Sequence, residues 1–187
     1  MKGAHGEHFI GYNVQVAVDA QHDLIVAEEV VQAANDRQQL APLAEAAKAE
    51  LQVKELTVVA DKGYHHAGQL AACATPGVTA YVPAPGTTSG KTQDGQAVFP
   101  KEKFRYDAAA DAYHCPGGQV LPFQHKNTDG GQERRRYYER AACRGCPLRG
   151  ECTTGSCRVI TRHPQEAAVE ATAARVASAS EKVARRK

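Results

Sequence analysis

Cysteine spacing is the first feature of this sequence that points to chemistry. The chain has six cysteines, and Cys143 and Cys146 form a Cys-x-x-Cys pair. Two thiolates at this spacing fit one turn of a zinc knuckle, and structural zinc prefers four ligands in a closed tetrahedral site. We therefore predict a structural Zn²⁺ site whose ligands are Cys115, Cys143, Cys146 and Cys152.

Neighbouring residues leave alternatives to this site open. Cys157 is a substitute for any one of the four ligands, and His114 is a weaker one. Another alternative is that the thiols are reduced and unliganded, since disulfides are rare in a chain with no export signal. Redox activity is less favoured because no thioredoxin-like strand precedes the Cys-x-x-Cys pair. Cys73 lies in a helix-like segment and is interpreted as a small apolar residue.

Asp61 is the carboxylate whose position best suits metal chemistry. It follows the apolar run 56–60, which is typical of a strand buried on both faces, and it precedes Lys62, Gly63 and Tyr64. Its side chain should emerge at the C-terminal end of that strand, where a few carboxylates and water hold Mg²⁺ for phosphoryl transfer. The alternative is a turn-forming aspartate before glycine.

Other titratable residues of the first half are interpreted as structural. Asp19 and Asp23 lie in a turn, and Asp36 is in position to cap a helix. His65 and His66 are adjacent in sequence, so their side chains diverge and do not form one metal site. Asp61 is therefore the one carboxylate singled out for catalysis.

A run of short elements is needed to position these residues. Alternating apolar and polar residues over 10–19, followed by a β-branched run over 24–31, predict an antiparallel hairpin. Its first strand has Tyr12, Val14, Val16 and Val18 on one face. The elements that follow are predicted to be a helix, a strand, a helix and a strand over 37–51, 56–60, 66–74 and 78–82. This order indicates an α/β layer.

Composition divides the chain into four segments. Residues 1–83 hold the α/β elements, and residues 84–98 shift to Pro, Gly, Thr and Ser, which marks a linker. Residues 99–162 are rich in Cys, Gly and Arg, so this insertion is not expected to bury a large core of its own and needs a staple such as zinc. Residues 163–187 predict a C-terminal helix that packs on another element.

Charge is unevenly distributed along the chain. The net charge of the 187 residues is only +2, but arginines concentrate after residue 130. The cations of this part include Arg134, Arg135, Arg136, Arg140, Arg144, Arg149, Arg158, Arg162, Arg175, Arg185, Arg186 and Lys187. Such asymmetry favours a phosphate-rich partner such as nucleic acid, although charge runs are also common on solvated surfaces.

Membrane insertion and export are not expected. No apolar run approaches the roughly 20 residues that span a bilayer. The first residues also lack the apolar core of a signal peptide. A cytoplasmic protein is the default expectation.

Several motifs, taken together and in order, resemble the DDE transposases of bacterial insertion sequences. The set covers nearly the whole chain, and each motif alone is weak. The matching pieces are Gly11-Tyr12-Asn13-Val14-Gln15, Asn35-Asp36, Ala60-Asp61-Lys62-Gly63-Tyr64, Tyr81-Val82-Pro83, Phe104-Arg105-Tyr106-Asp107, Tyr113-His114-Cys115-Pro116-Gly117 and Cys143-Arg144-Gly145-Cys146-Pro147.

This resemblance implies an RNase H-like fold that acts on DNA. In that family three acidic residues hold two Mg²⁺ ions for strand cleavage and strand transfer. The motif match assigns the second catalytic aspartate of the family to Asp61. Transposon-end DNA is the partner that the resemblance implies.

Two departures from the family pattern determine the activity that we expect. The family's first aspartate lies on a strand before the hairpin, and this chain begins shortly before the hairpin. The family's glutamate follows an Arg-Arg-Lys stretch, where this chain stops; its tail glutamates are Glu166, Glu170 and Glu181. With one of three metal ligands, the chain is expected to be an internal fragment that is inactive alone.

Two other functions compete with the inactive fragment. The first is a zinc-stapled nucleic-acid-binding module without catalysis, in which arginines contact phosphates. The second is a nuclease that completes its site with Asp19 or a C-terminal glutamate, which is disfavoured because the hairpin turn should lie far from Asp61. A missing first strand would also leave unpaired sheet edges, so marginal stability or self-association is expected.

Overall fold

The computed structural model describes residues 11–74, 77–85, 95, 97–129 and 132–179. The chain divides into two compact units. The first is formed by Met1–Pro85 together with Gln165–Lys187, and the second by Gly86–Pro164. Most of the expected linker at 84–98 lies outside the described residues.

The first unit opens with the hairpin that the alternating sequence predicts. β1 (Asn13–Val18) pairs antiparallel with β2 (Ile25–Val31), and Val14 lies opposite Val30. In the connecting turn, Asp19 accepts hydrogen bonds from two backbone N–H groups, and these bonds lower the pKa of its carboxyl. Asp19 is therefore a turn residue, as expected.

Two helices and two strands continue the first unit. They are α1 (Leu40–Glu50), β3 (Leu56–Val59), α2 (Ala67–Ala74) and β4 (Val78–Tyr81). β3 and β4 are parallel neighbours, joined through α2. The order of elements is the predicted one, which confirms the α/β class of this unit.

The core of the first unit is aliphatic. Its buried residues are Leu40, Ala41, Ala44, Leu70, Cys73, Val78, Ala80 and Val82. The last helix, α5 (Glu166–Ala177), adds Ala168 and Val169 to this cluster, so the predicted C-terminal helix does pack on another element. Burial raises the pKa of the Cys73 thiol to about 11, which agrees with its interpretation as a small apolar core residue.

β3 is not buried on both faces, contrary to the prediction from its apolar sequence. Thr57 is exposed, and Leu56, Val58 and Val59 are half-buried. Within the described residues, β3 pairs only with β4, and the hairpin forms a separate two-stranded sheet. One edge of β3 therefore has no neighbouring strand, and its side chains stay in contact with solvent.

The hairpin turns its apolar face outward. Tyr12, Val14, Val16 and Val18 are all exposed, with Val14 at 59%. The polar side chain of Gln15, on the opposite face of the same strand, is only 1% exposed. A polar residue is thus buried where the alternation by itself would favour a valine.

The second unit is a five-stranded antiparallel sheet with its strands in sequence order. The strands are β5 (Arg105–Asp107), β6 (Ala112–His114), β7 (Val120–Asp129), β8 (Gln132–Tyr137) and β9 (Ile160–Arg162). Two short helices, α3 (Arg140–Arg144) and α4 (Arg149–Cys152), lie between β8 and β9. This sheet was not anticipated from the composition of the segment.

A hydrophobic cluster holds this sheet, although the sequence analysis expected no large core here. Phe104, Tyr113, Leu121, Tyr137 and Ile160 are all buried in it. Rings supply the apolar area that branched aliphatics provide elsewhere, and the Tyr113 and Tyr137 rings meet edge to face at 5.2 Å. The expectation was wrong because it counted aliphatic residues and overlooked the aromatic ones.

A polar cluster at one end of this core surrounds Asp111. Its carboxylate accepts hydrogen bonds from the hydroxyls of Tyr106 and Tyr137, both at 2.8 Å, and from the guanidinium of Arg135. Burial alone would raise the pKa of Asp111, but these donors outweigh it and lower the pKa. The same contact raises the pKa of Tyr137, whose ring is also desolvated.

Among the described helices, none has both the length and the apolar character that a membrane crossing requires.

Candidate functional site

Asp61 lies just past the C-terminal end of β3, as predicted. It precedes a short 3₁₀ turn, Lys62–Tyr64, and its Oδ1 accepts a hydrogen bond from the Gly63 N–H at 2.6 Å. Asp61 itself is exposed. The turn therefore fixes the carboxylate at the strand end while leaving it open to solvent.

Asp36 does not cap a helix, contrary to the sequence interpretation. α1 begins later, with Gln39 at its N-cap position and no side-chain cap. The Asp36 Oδ1 instead accepts hydrogen bonds from the side-chain amides of Asn13 at 2.7 Å and Gln15 at 2.8 Å. Asp36 thus ties β1 to the segment before α1, a contact between residues too far apart in sequence for local pattern analysis to find.

Gly63 brings the two carboxylates close together. A methyl group on its Cα would lie 2.8 Å from Asp61 Oδ1 and 3.4 Å from Asp36 Oδ2. Any other residue here would have to push the Asp61 carboxylate away, because 2.8 Å is shorter than a van der Waals contact. The absence of a side chain at position 63 therefore leaves room for the Asp61 carboxylate, with the Asp36 carboxylate near the same glycine.

Tyr64 completes this arrangement, which we call the Asp61 cluster (Asn13, Gln15, Asp36, Asp61, Gly63 and Tyr64). Its hydroxyl donates a hydrogen bond to Oε1 of Gln15. Burial raises the pKa of Tyr64, and the negative charges of Asp36 and Asp61 raise it further. Tyr64 is consequently a neutral donor at physiological pH.

Three of the motifs that carried the family resemblance converge in this cluster. Asn13 and Gln15 come from the first, Asp36 from the second, and Asp61, Gly63 and Tyr64 from the third. Sequence reasoning selected Asp61 and missed the roles of the other members. The available signal was the recurrence of amide and acid side chains inside the motifs.

Other acids do not complete a metal site around Asp61. Throughout the described ranges, no group of three or more His, Cys, Asp or Glu side chains could hold a metal ion. Glu166 comes near enough to His65 to oppose the lowering of the pKa of that histidine, which burial dominates. Glu181 lies outside the described residues. The described residues therefore do not fit the two-ion Mg²⁺ site that the resemblance implies, and among them the Asp19 or C-terminal glutamate alternative gains no support.

The four cysteines predicted as zinc ligands line one pocket of the second unit. Cys115, Cys143, Cys146 and Cys152 surround it together with Phe104, Leu121 and Arg158. A methyl group on Gly117 would lie 3.6 Å from the sulfur atoms of both Cys115 and Cys146. Burial raises the pKa of Cys152, the charge of Arg158 opposes this, and the thiols of Cys143, Cys115 and Cys146 raise it further.

Backbone turns bring these cysteines into the pocket. Gly118, at a positive φ of 74°, donates a backbone hydrogen bond to the carbonyl of Cys115 at 2.9 Å. The backbone N–H of Cys146 donates a hydrogen bond to the carbonyl of Cys143 at 3.4 Å. Neither of the alternative ligands, Cys157 and His114, is among the residues that line the pocket.

Comparison with known proteins identifies the family. Searches of curated proteins and of solved structures return no significant match. The family model of the transposase DDE domain matches residues 2–172, which cover all of the second unit, most of the first unit and the Asp61 cluster. This family implies an RNase H-like fold, DNA as partner and, in general, a divalent metal such as Mg²⁺. The chain belongs to the transposase DDE domain family.

Proposed function

We propose that this chain presents Asp61 as one catalytic carboxylate of a DDE-type transposase and does not cleave or join DNA strands by itself. The observation that carries the proposal is the Asp61 cluster. Its hydrogen bonds hold an exposed aspartate at a strand end, and the carboxylate found beside it is that of Asp36.

Coordination chemistry supports inactivity of the chain alone. Mg²⁺ gives up its water reluctantly, and a pair of carboxylates offsets little of that cost. Asp36 is moreover occupied, because its Oδ1 already accepts two hydrogen bonds from Asn13 and Gln15. The described residues therefore supply no complete set of ligands for a metal-dependent step.

The sheet arrangement supports the same proposal. An RNase H-like layer is one continuous sheet, whereas the hairpin and the β3–β4 pair form separate sheets in the part of the chain that the structure describes. We infer that a further strand joins the two sheets. On this proposal, the strand that joins them also brings a second catalytic acid.

A strand-cleavage assay tests the proposal directly. The full chain is incubated with supercoiled DNA and Mg²⁺ or Mn²⁺, beside the Asp61→Asn variant. We expect no nicking above background from either protein. Turnover by the unsubstituted chain that is lost in Asp61→Asn would overturn the proposal, since it would show a complete site.

For the second unit, we infer a zinc-stapled nucleic-acid-binding module without catalysis of its own. Its support is the convergence of four cysteines on one pocket under the aromatic core. The sulfur atoms do not form a group close enough to hold a metal in the described residues, so zinc binding requires them to move inward. Such ligation would stabilise a small unit whose helices α3 and α4 are only five and four residues long.

Metal content tests this second proposal. We expect one Zn²⁺ per chain in protein purified without chelator, and loss of zinc in Cys143→Ser and Cys146→Ser. Cys157→Ser is the matched control and should keep its zinc, because Cys157 does not line the pocket. Protein with no zinc, or zinc retained in both pocket variants, would contradict the assignment. Loss of zinc in Cys157→Ser would show that Cys157 replaces one of the four ligands.

A further inference from the structure

One cation, Arg158, lies in the wall of the pocket that the four cysteines line. It belongs to the segment between α4 and β9 and is half-buried. Phe104 and Leu121, two buried residues of the hydrophobic cluster, lie in the same wall. A charged group that loses part of its hydration in apolar surroundings needs compensation from other groups.

Three contacts fix the guanidinium of Arg158 in place. Its Nη1 donates a hydrogen bond to the carbonyl of Cys152 at 3.0 Å, and its Nη2 donates one to the carbonyl of Phe99 at 2.8 Å. Its Cζ also lies over the ring of Phe104, 5.0 Å from the ring centroid. Hydrogen bonds to two segments and a cation–π contact hold the charge beside the pocket.

The partners of this guanidinium carry no negative charge. Both hydrogen bonds go to neutral backbone carbonyls, and within the described part of the chain no carboxylate forms an ion pair with Arg158. The Nε of Arg158 is buried and has no hydrogen-bond partner among the same residues. One positive charge and one buried N–H donor can therefore serve an anionic group in the pocket.

The proposed zinc site is such an anionic group. Four thiolates around one Zn²⁺ leave two negative charges in excess. Burying this excess beside apolar side chains is unfavourable unless a nearby cation compensates it. Partners that hydrogen-bond to metal ligands typically change metal affinity by about 10- to 100-fold when they are removed.

We propose that Arg158 is the counter-cation of a zinc ion held by the four pocket cysteines. The inference rests on the proposed function, in which these cysteines bind Zn²⁺, and it adds a positioning residue that does not bind the metal itself. Arg149 also lines the pocket, but it is exposed, and its guanidinium donates to the carbonyl of Gly155 at 3.4 Å. Solvent screens an exposed charge, so Arg149 does not share this role.

Three variants of the full chain separate the charge of Arg158 from its packing. Arg158→Gln removes the charge, whereas Arg158→Lys keeps it but loses the planar fork that reaches both carbonyls. Arg149→Gln removes a charge from the exposed arginine of the same pocket and is the matched control. The Zn²⁺ affinity of each protein is measured by competition with a chelating indicator, and near-ultraviolet circular dichroism of the tyrosine core checks folding of the zinc-loaded form.

We expect Arg158→Gln to bind Zn²⁺ about 10- to 100-fold more weakly than the unsubstituted chain. Arg158→Lys should stay within about threefold because a cation remains, and Arg149→Gln should do so because an exposed charge contributes little. Equal weakening in Arg158→Gln and Arg158→Lys would overturn the inference, since it would assign the effect to the carbonyl contacts. If Arg158→Gln does not fold, Arg158→Lys decides alone: an affinity within about threefold supports the inference, and a larger loss overturns it.

Cobalt substitution checks that the metal keeps its ligands. Co²⁺ bound by thiolates has a charge-transfer absorption whose intensity follows the number of thiolates. The cobalt form of Arg158→Gln should keep the intensity of the unsubstituted chain although its metal affinity falls. A lower intensity would overturn the inference, because it would show that Arg158 is needed to place a cysteine.

The affinity of the unsubstituted chain separates this inference from the proposed function. If that chain binds no Zn²⁺, the zinc-stapled module fails and the role of Arg158 fails with it. If the four cysteines bind Zn²⁺ and Arg158→Gln has the same affinity as Arg149→Gln, the zinc site stands and only the role of Arg158 is overturned.

Discussion

The hydroxyl of Tyr64 donates a hydrogen bond to the side-chain oxygen of Gln15, a residue that is only 1% exposed. This bond joins the turn after β3 to the first strand of the hairpin. The amide nitrogen of the same Gln15 donates to Asp36 at 2.8 Å, so one buried side chain links all three segments. The geometry around Asp61 therefore depends on Gln15, which does not itself touch Asp61.

Gln15→Leu should destabilise the first unit by about 1 to 3 kcal/mol. Leucine has a similar size but leaves the half-buried Tyr64 hydroxyl and one lone pair of the half-buried Asp36 without these partners. Hydrogen exchange of the β1 and β2 amides in increasing urea reports on this unit alone. Val14→Thr, on the exposed face of the same strand, is the control and should change stability by less than about 0.5 kcal/mol. Equal effects of the two substitutions would show that the Gln15 bonds contribute nothing.

Gly63→Ala should displace the carboxylate of Asp61. The added methyl group would lie 2.8 Å from Asp61 Oδ1, which is too close for any Cβ, so the hydrogen bond from residue 63 to Asp61 should break. We expect a changed carboxyl ¹³C shift of Asp61 and a stability loss of about 1 to 2 kcal/mol.

Gly150→Ala is the control for that substitution. Nothing lies within 4 Å of a Cβ at Gly150, which is part of α4, and alanine favours helix. The free energy of unfolding of Gly150→Ala should equal that of the unsubstituted chain or exceed it by up to about 1 kcal/mol. An unchanged Asp61 signal in Gly63→Ala would mean that the glycine is not needed for the approach of the two carboxylates.

The elements of the first unit were predictable because their signals are local. Alternation predicted β1, and helical spacing predicted α1 and α2. The role of Asp36 was not predictable in this way, because Asn13 and Gln15 lie more than twenty residues before it. Local patterns in a single sequence do not report contacts between residues that are far apart in the chain. The preference of aspartate for helix starts therefore led to the wrong interpretation.

The strands of the second unit were missed for a different reason. β8 reads Gln-Glu-Arg-Arg-Arg-Tyr, and its charged residues conceal the alternation that makes it a strand. Arg135 lies on the core side, where its charge is balanced by Asp111 and its guanidinium packs 4.5 Å from the centroid of the Phe123 ring. A hydrophobicity pattern cannot recognise a core-side, half-buried position that an arginine fills. The four cysteines that the sequence groups together do line one pocket, and the Cys143–Cys146 spacing is a local signal that does not depend on the sheet; their ligation of zinc stays a prediction.

Acid should unfold the second unit through Asp111. The pKa of this carboxyl is lower in the folded protein than its ordinary value of 3.8, so its contribution to stability is complete above that value. The contribution is lost as the pH falls toward the lower pKa of the folded state. Asp111→Asn should therefore cost about 1 to 2 kcal/mol at neutral pH and flatten the dependence of stability on pH below about 5.

Near-ultraviolet circular dichroism of the tyrosine core measures this effect. Glu102→Gln removes an exposed carboxylate of the same unit and serves as the control, which should keep the pH dependence of the unsubstituted protein. If Asp111→Asn unfolds in acid with the same steepness as Glu102→Gln, the hydrogen bonds from Tyr106, Tyr137 and Arg135 do not govern acid stability.

The outward apolar face of the hairpin should make the protein self-associate. Val14 and Val30 lie directly opposite each other on this face and are 59% and 62% exposed, which is unusual for a monomer. Replacing them by Val14→Lys and Val30→Glu keeps the hairpin, since opposite charges across a strand pair attract. The sedimentation coefficient of the unsubstituted chain should rise with concentration, and that of the variant should not.

The control variant is Val120→Lys with Val159→Glu, at two exposed valines of the second unit. It adds the same charges elsewhere and should leave the association in place. A constant sedimentation coefficient for the unsubstituted chain would show that the exposed valines drive no association, and the same behaviour in both variants would assign it to another surface.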